Sequence, residues 1–265
     1  MSSSSRPTSG LLAGAFAVAL GAGACAPEAP APEVKDMPRA DFVERTFATK
    51  TGPMPYRLYT PARYDARQRY PLILWLHGAG GSGTDNVQQI TGDQIPGTHS
   101  WITPERQSAH PAFVFVPQTN IGWVAKTDSP ELGPTLDGVM QILDALSSEF
   151  SIDLHRVYAL GQSMGGGGVW NLITNKPDRF AAAIIVCPVP ADLTRAANVA
   201  HMPIWLFQGD QDSEGFLKGA RATVEALKKA GGHPRYTEYA GLGHEIWTRV
   251  FDEPELVPWL FSQSR

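Results

Sequence analysis

The chain has 265 residues, 43% hydrophobic and 18% charged, enough to bury one full core. Its 26 acidic and 22 basic side chains leave a net charge of −4 without any long Lys/Arg run. No nucleic-acid partner is expected, because phosphate binding needs a basic surface, and a small or neutral substrate fits better.

The first 25 residues read as a signal peptide: Arg6 and the amino terminus supply positive charge, and residues 11–24 form an uncharged Ala/Gly/Leu-rich run. That run is shorter than the roughly 20 residues a helix needs to cross a bilayer, so a permanent span is not expected. Ala22-Gly23-Ala24-Cys25 resembles the lipobox of bacterial lipoproteins, which makes Cys25 the candidate lipidation site and a membrane lipid anchor a candidate partner. That pattern prefers Leu where Ala22 stands, and Ala24-Cys25-Ala26 also suits cleavage for ordinary secretion. An exported protein is expected on either reading, periplasmic, secreted or anchored. Residues 26–39, rich in Pro, Ala and Glu, read as a linker, and residues 40–265 as the catalytic domain. Cys187 is the other cysteine; in its apolar surroundings it reads as a small buried hydrophobe.

Strand-like residues 42–49 and 56–60 flank the turn-former Thr51-Gly52-Pro53 and predict an antiparallel hairpin at a sheet edge. The runs 72–76, 112–116, 157–160, 182–186 and 204–207 are apolar at successive positions, as in strands buried on both faces. Helical patterns over 135–150, 163–175 and 216–230 alternate with them. The predicted fold is therefore α/β, a doubly wound and mostly parallel sheet with an N-terminal antiparallel edge hairpin. Ligands of such sheets bind beyond the carboxyl ends of the strands.

Gly161-Gln162-Ser163-Met164-Gly165 lies between the strand at 157–160 and a helix, the context that a G-x-S-x-G nucleophile turn requires. The bland alternative makes Ser163 an ordinary helix N-cap. A serine hydroxyl needs a base, and strand order sorts the histidines. His110, His155, His201 and His233 each precede a strand and fall at the amino edge; His99 sits in a long connection. His77 and His244 follow strands, and Gly241-Leu242-Gly243 lets a loop carry His244, the candidate base, over the serine. The strand at 204–207 runs into Asp210 and Asp212; Asp212, farther beyond the strand, is preferred as the orienting acid. Oxyanion donors are expected from the backbone N–H of Met164 and of Ala79, with Gly80 as the fallback. The glycine run 165–168 lacks a phosphate-loop pattern, and there is no H-E-x-x-H or paired C-x-x-C, so neither cofactor nor metal is expected.

The segment 70–86, with His77-Gly78-Ala79-Gly80-Gly81, together with Val116-Pro117-Gln118, Gly122-Trp123, the Ser163 pentapeptide, Gly209 to Asp212 and Gly243-His244-Glu245-Ile246-Trp247, resembles a bacterial group of predicted peptidases and esterases. That group belongs to the α/β-hydrolase superfamily and is related to polyhydroxybutyrate depolymerases and feruloyl esterases. The resemblance implies a G-x-x-D acid at Asp212, and a pocket bordered by Asp85, Asn86, Trp123 and Trp247. The expected function is serine carboxylesterase chemistry through an acyl-enzyme, on a small-molecule or polymer ester. The same three residues would also serve a peptidase or acyltransferase, and a non-catalytic surface lipoprotein is the alternative from another class.

Overall fold

A computed structural model describes residues 42–123, 132–190 and 192–265. The signal-like segment, Cys25 and the linker lie outside the described residues. Eight strands form one sheet: β1 (Val43–Thr49), β2 (Gly52–Tyr59), β3 (Tyr70–Leu76), β4 (Phe113–Pro117), β5 (Ile152–Gln162), β6 (Ala182–Val186), β7 (Ile204–Gly209) and β8 (Arg235–Tyr239). Their order is β1-β2-β4-β3-β5-β6-β7-β8. The hairpin β1-β2 and its junction with β4 are antiparallel, and every other pairing is parallel. Alternation of half-buried and exposed residues along β1 marks the edge, whereas all of β3 is buried.

Seven α-helices are described: α1 (Ile95–His99), α2 (Pro104–Ala109), α3 (Pro134–Glu149), α4 (Met164–Asn175), α5 (Glu214–Lys229), α6 (Trp247–Phe251) and α7 (Leu256–Phe261). Alternate residues of β3 divide the core. Leu72, Leu74 and Leu76 join α3, α4 and α5, while Ile73 and Trp75 join α6, α7 and Trp101. Helices therefore cover both faces, which is why the central strands are apolar at every position. No helix among the described residues is long and apolar enough to cross a membrane.

Sequence periodicity does not announce α1, α2, α6 and α7, each five or six residues long; such pieces are too short for a 3.6-residue period to register. Strand β5 begins at Ile152, five residues before the expected 157, so His155 stands inside its amino end. A register shift against β3 lies there, between the pairs Tyr70–Ile152 and Leu72–Val157, and breaks the apolar pattern that marks the rest of the strand.

The winding explains where a site belongs. From β3 the chain moves outward to β4, then crosses back to lay β5 on the other side of β3. The carboxyl ends of β3 and β5 thus flank the point where strand order reverses, and the loops leaving them diverge around a crevice.

Candidate active site

Ser163 occupies the turn between β5 and α4 at φ 53° and ψ −117°, a conformation that residues bearing a Cβ rarely adopt. Neighbouring strands hold it there. Its N–H donates to Val186 O at 2.8 Å, and its carbonyl accepts from Gly167 and Val189 N–H, both at 3.2 Å. Its side chain does not cap α4, as an ordinary N-cap serine would. Instead Ser163 Oγ lies 2.9 Å from His244 Nε2, and His244 Nδ1 lies 2.7 Å from Asp212 Oδ2. A carboxylate only accepts, so the imidazole proton sits on Nδ1 and Nε2 receives the serine hydroxyl.

The sharp turn depends on contact between α4 and β3. A Cβ at Gly165 would come 1.9 Å from Leu76 O, and one at Gly161 would meet Gly165 O at 2.6 Å. The next three glycines of α4 lie against Pro188, Val189 and Trp123. The glycine run, unfavourable for a helix in isolation, lets the helix seat itself within the sheet's own backbone.

His244 and Asp212 arrive on two loops pressed together just as closely. A Cβ at Gly209 would stand 2.1 Å from Gly243 O and 2.3 Å from Leu242 O. Asp210 fastens the same junction, its Oδ1 accepting Gly241 N–H at 2.7 Å. The two aspartates thus divide the work: Asp210 ties the loops together and Asp212 meets the histidine. Phe216 of α5 and Trp247 of α6 set ring edges against the imidazole, at centroid distances of 4.4 and 5.3 Å.

Met164 is the first residue of α4, so its N–H has no acceptor within the helix and lies at the positive end of the helix dipole. Ala79 opens a single 3₁₀ turn, Ala79–Gly81, on the loop after β3, and Gly80 lies within it. That loop is fixed from behind. Gly78 N–H donates to the buried Gln94 Oε1 at 3.0 Å, and Gln162 Nε2 donates to Asp93 O at 3.2 Å. His77 is completely buried beneath it. Thr119 N–H donates to its Nε2 at 3.2 Å, so its Nδ1 carries the proton and donates to Gly78 O at 2.7 Å. Burial pushes this imidazole down to about 4, against a partial offset from the Gly78 carbonyl.

The four pocket candidates do not fall together. Trp247 touches the imidazole. Trp123, 1% exposed, donates Nε1–H to His77 O at 2.8 Å and packs its ring on His77, bracing the loop from inside the core. Asn86 is also buried: its N–H donates to Gln118 Oε1 at 2.6 Å and its side-chain amide to Arg45 O at 3.0 Å. Asp85 accepts from Gln118 Nε2 and from Val87 and Gln88 N–H, which hold its carboxyl down at about 2. These three residues frame the loop after β3. Gln94 and Gln208 belong to the site's framework without a signal in the sequence, because a lone buried glutamine has no local signature, whereas Gln118 belongs to the Val116-Pro117-Gln118 resemblance.

Comparison with known proteins finds esterases and peptidases among the relatives of this chain. A model of the prolyl oligopeptidase family matches residues 133–196, which span α3 through the loop after β6. The putative esterase NocK of Nocardia uniformis subsp. tsuyamanensis is 27% identical over 228 residues, 75% of this chain and 62% of that protein. The probable feruloyl esterase C of Aspergillus niger is 31% identical over 132 residues, 49% of this chain and 45% of that one. Among solved structures, a thermostable esterase superposes with a TM-score of 0.79 at 35% identity, covering 85% of this chain and 64% of its own. The chain thus spans less than two thirds of the length of each of these relatives. Dipeptidyl peptidase 4 of Porphyromonas gingivalis, at 16% identity and a TM-score of 0.65, shares the fold. Sheet order, the turn at Ser163 and these relatives together place the chain in the α/β-hydrolase group.

Proposed function

We propose that the chain is a serine esterase in which Ser163 attacks a carboxylic ester, His244 accepts the hydroxyl proton and Asp212 orients and stabilises the imidazolium. The observation that carries this reading is the continuous path Ser163 Oγ, His244 Nε2, His244 Nδ1, Asp212 Oδ2, with steps of 2.9 and 2.7 Å across its two hydrogen bonds. In the first step the Oγ–acyl bond forms as the ester carbonyl becomes an oxyanion. Collapse expels the alcohol, which takes the proton from Nε2, and water activated by the same nitrogen then releases the acid. The N–H groups of Met164 and Ala79, with Gly80 as the alternative to Ala79, would receive the oxyanion.

Ester over amide is favoured by the named esterases among the relatives. The match to the prolyl oligopeptidase family keeps a peptidase as the second reading, on the same three residues. Exposed Val87, Ile121 and Leu242 stand on the connections that follow β3, β4 and β8 at the carboxyl edge and favour an apolar acid or alcohol group. Fluorophosphonate should label the wild type and not Ser163→Ala, whose kcat/KM should fall by about 10⁴ or more. Labelling that survives the substitution would remove Ser163 as nucleophile. A panel of esters and peptides, with products identified by mass spectrometry, separates the two readings: peptide products without ester turnover would select the peptidase. Export, with acylation at Cys25, completes the proposal. It predicts that Cys25→Ser moves the protein from the membrane fraction to the soluble one, whereas an unchanged distribution would refute the anchor.

A further inference from the structure

Asp212 is held by donors other than His244 on both of its oxygens. Its side chain is 3% exposed. The oxygen that meets His244 Nδ1 also accepts from Gln208 Nε2 at 2.7 Å, while the other oxygen accepts Ser213 N–H at 2.7 Å. Gln208 is fully buried at the end of β7, and its Oε1 meets no protein donor. Turning the amide over would set that oxygen against the carboxylate, so the charge on Asp212 dictates which way it faces.

Cys187 closes the ring from β6. Its φ of 40° is unusual for a residue with a Cβ, and its N–H is pinned to Phe207 O at 2.9 Å. Its sulfur, a carboxylate oxygen of Asp212 and a ring nitrogen of His244 lie within 4.8 Å of one another. Burial pushes the thiol up to about 12, and the Asp212 carboxylate acts in the same direction. The sulfur therefore keeps its proton, and what it can present to the neighbouring Asp212 is an S–H, not a thiolate.

We propose that Gln208 and Cys187 are positioning residues that set the basicity of His244 through Asp212. This rests on the catalytic reading given above. Gln208 and His244 share one carboxylate oxygen, so each donor takes charge density that the other would otherwise receive. The pull that Asp212 exerts on the Nδ1 proton is thereby set by the other donors on its carboxylate. Other groups around the ring do not take over this role. Helix α5 presents Phe216 and α6 presents Trp247. Asp210 is turned to Gly241 N–H, Glu214 pairs with Lys218, Arg249 lies over Tyr239, and Glu245 is exposed.

The test is the pH profile of kcat/KM for Gln208→Met, Cys187→Ala and Cys187→Ser, with Ser163→Ala as control. Loss of either donor should move the acid limb to higher pH by about half a pH unit or more. It should also lower kcat about 10-fold with little change in KM. Cys187→Ser, which restores a donor, should keep the limb where the wild type has it. Should Gln208→Met fail to fold, the Cys187→Ala and Cys187→Ser pair, differing by one hydroxyl, carries the same comparison. Variants that lose thermal stability while the acid limb stays in place would show a structural role alone and overturn the proposal. If Ser163→Ala instead keeps its fluorophosphonate labelling, it is the catalytic reading that fails.

Discussion

Two histidines stand at the carboxyl edge of the sheet, and their surroundings give them opposite work. His244 is partly exposed and hydrogen-bonded at both ring nitrogens to side chains, whereas His77 is buried and bonded to backbone. Because folding lowers the His77 pKa from 6.5 to about 4, the unfolded chain binds the extra proton between those values. Stability from this residue is complete above about 6.5 and is lost as pH falls toward 4, by about 3 kcal/mol at most. Thermal unfolding across that window should show the decline in the wild type and a flatter slope in His77→Gln, which has no proton to gain there. An equal slope would assign the acid sensitivity elsewhere. At the other imidazole, Asp212→Asn should keep the fold but lower kcat by about 10³–10⁴, since an amide there favours the wrong tautomer. Ester hydrolysis measured near neutral pH checks it, and a fall under about 10-fold would argue against Asp212 as the orienting acid.

At the scale of elements, turns and close approaches decide more than the regular structure does. Gly165→Ala would drive a methyl group into Leu76 O, and Gly209→Ala one into the backbone of Leu242 and Gly243. Neither neighbour is a flexible side-chain end that can swing aside, so each substitution should cost about 1–3 kcal/mol and displace a catalytic loop. Melting temperature and fluorophosphonate labelling rate should fall together. A Gly209→Ala protein with wild-type labelling would show that the Asp212 and His244 loops move independently. The same elements show what a sequence exposes. Ser163 and Asp212 stand just after strands whose apolar runs are unmistakable, and His244 follows the polar edge strand β8 in a glycine-rich loop, so topology narrows all three to one edge. Gln94 and Gln208 lie in or near apolar segments and act through a single amide each, which no periodicity reveals. Resemblance drew attention to Asp85, Asn86 and Trp123, but what they do, framing the loop after β3, becomes visible only once β4 brings Gln118 and Thr119 alongside it.

For the whole molecule, the mostly parallel sheet and its edge hairpin were readable because burial on both faces leaves an apolar run that amphipathic strands do not have. The short helices α1, α2, α6 and α7 were not, since five or six residues are too few to set up a helical period; α6 and α7 are placed by the apolar face they cover. Phe42 is the first described residue and already packs on Tyr59 and His99. A chain consisting of residues 42–265 should therefore unfold in a single transition and retain ester hydrolysis. Loss of cooperativity in calorimetry would assign residues 1–41 a part in the core.

The reversal of winding between β3 and β5 carries a consequence for how activity first arises. The proposed oxyanion donor, nucleophile, acid and base follow β3, β5, β7 and β8 in turn, so the site draws on the part of the sheet that runs from β3 to its β8 edge. A nascent chain emerging from its amino terminus would complete the elbow and the oxyanion loop well before its last strand supplies the imidazole. Hydrolysis would then switch on only when the far edge of the sheet docks, making recovered activity a late clock for refolding.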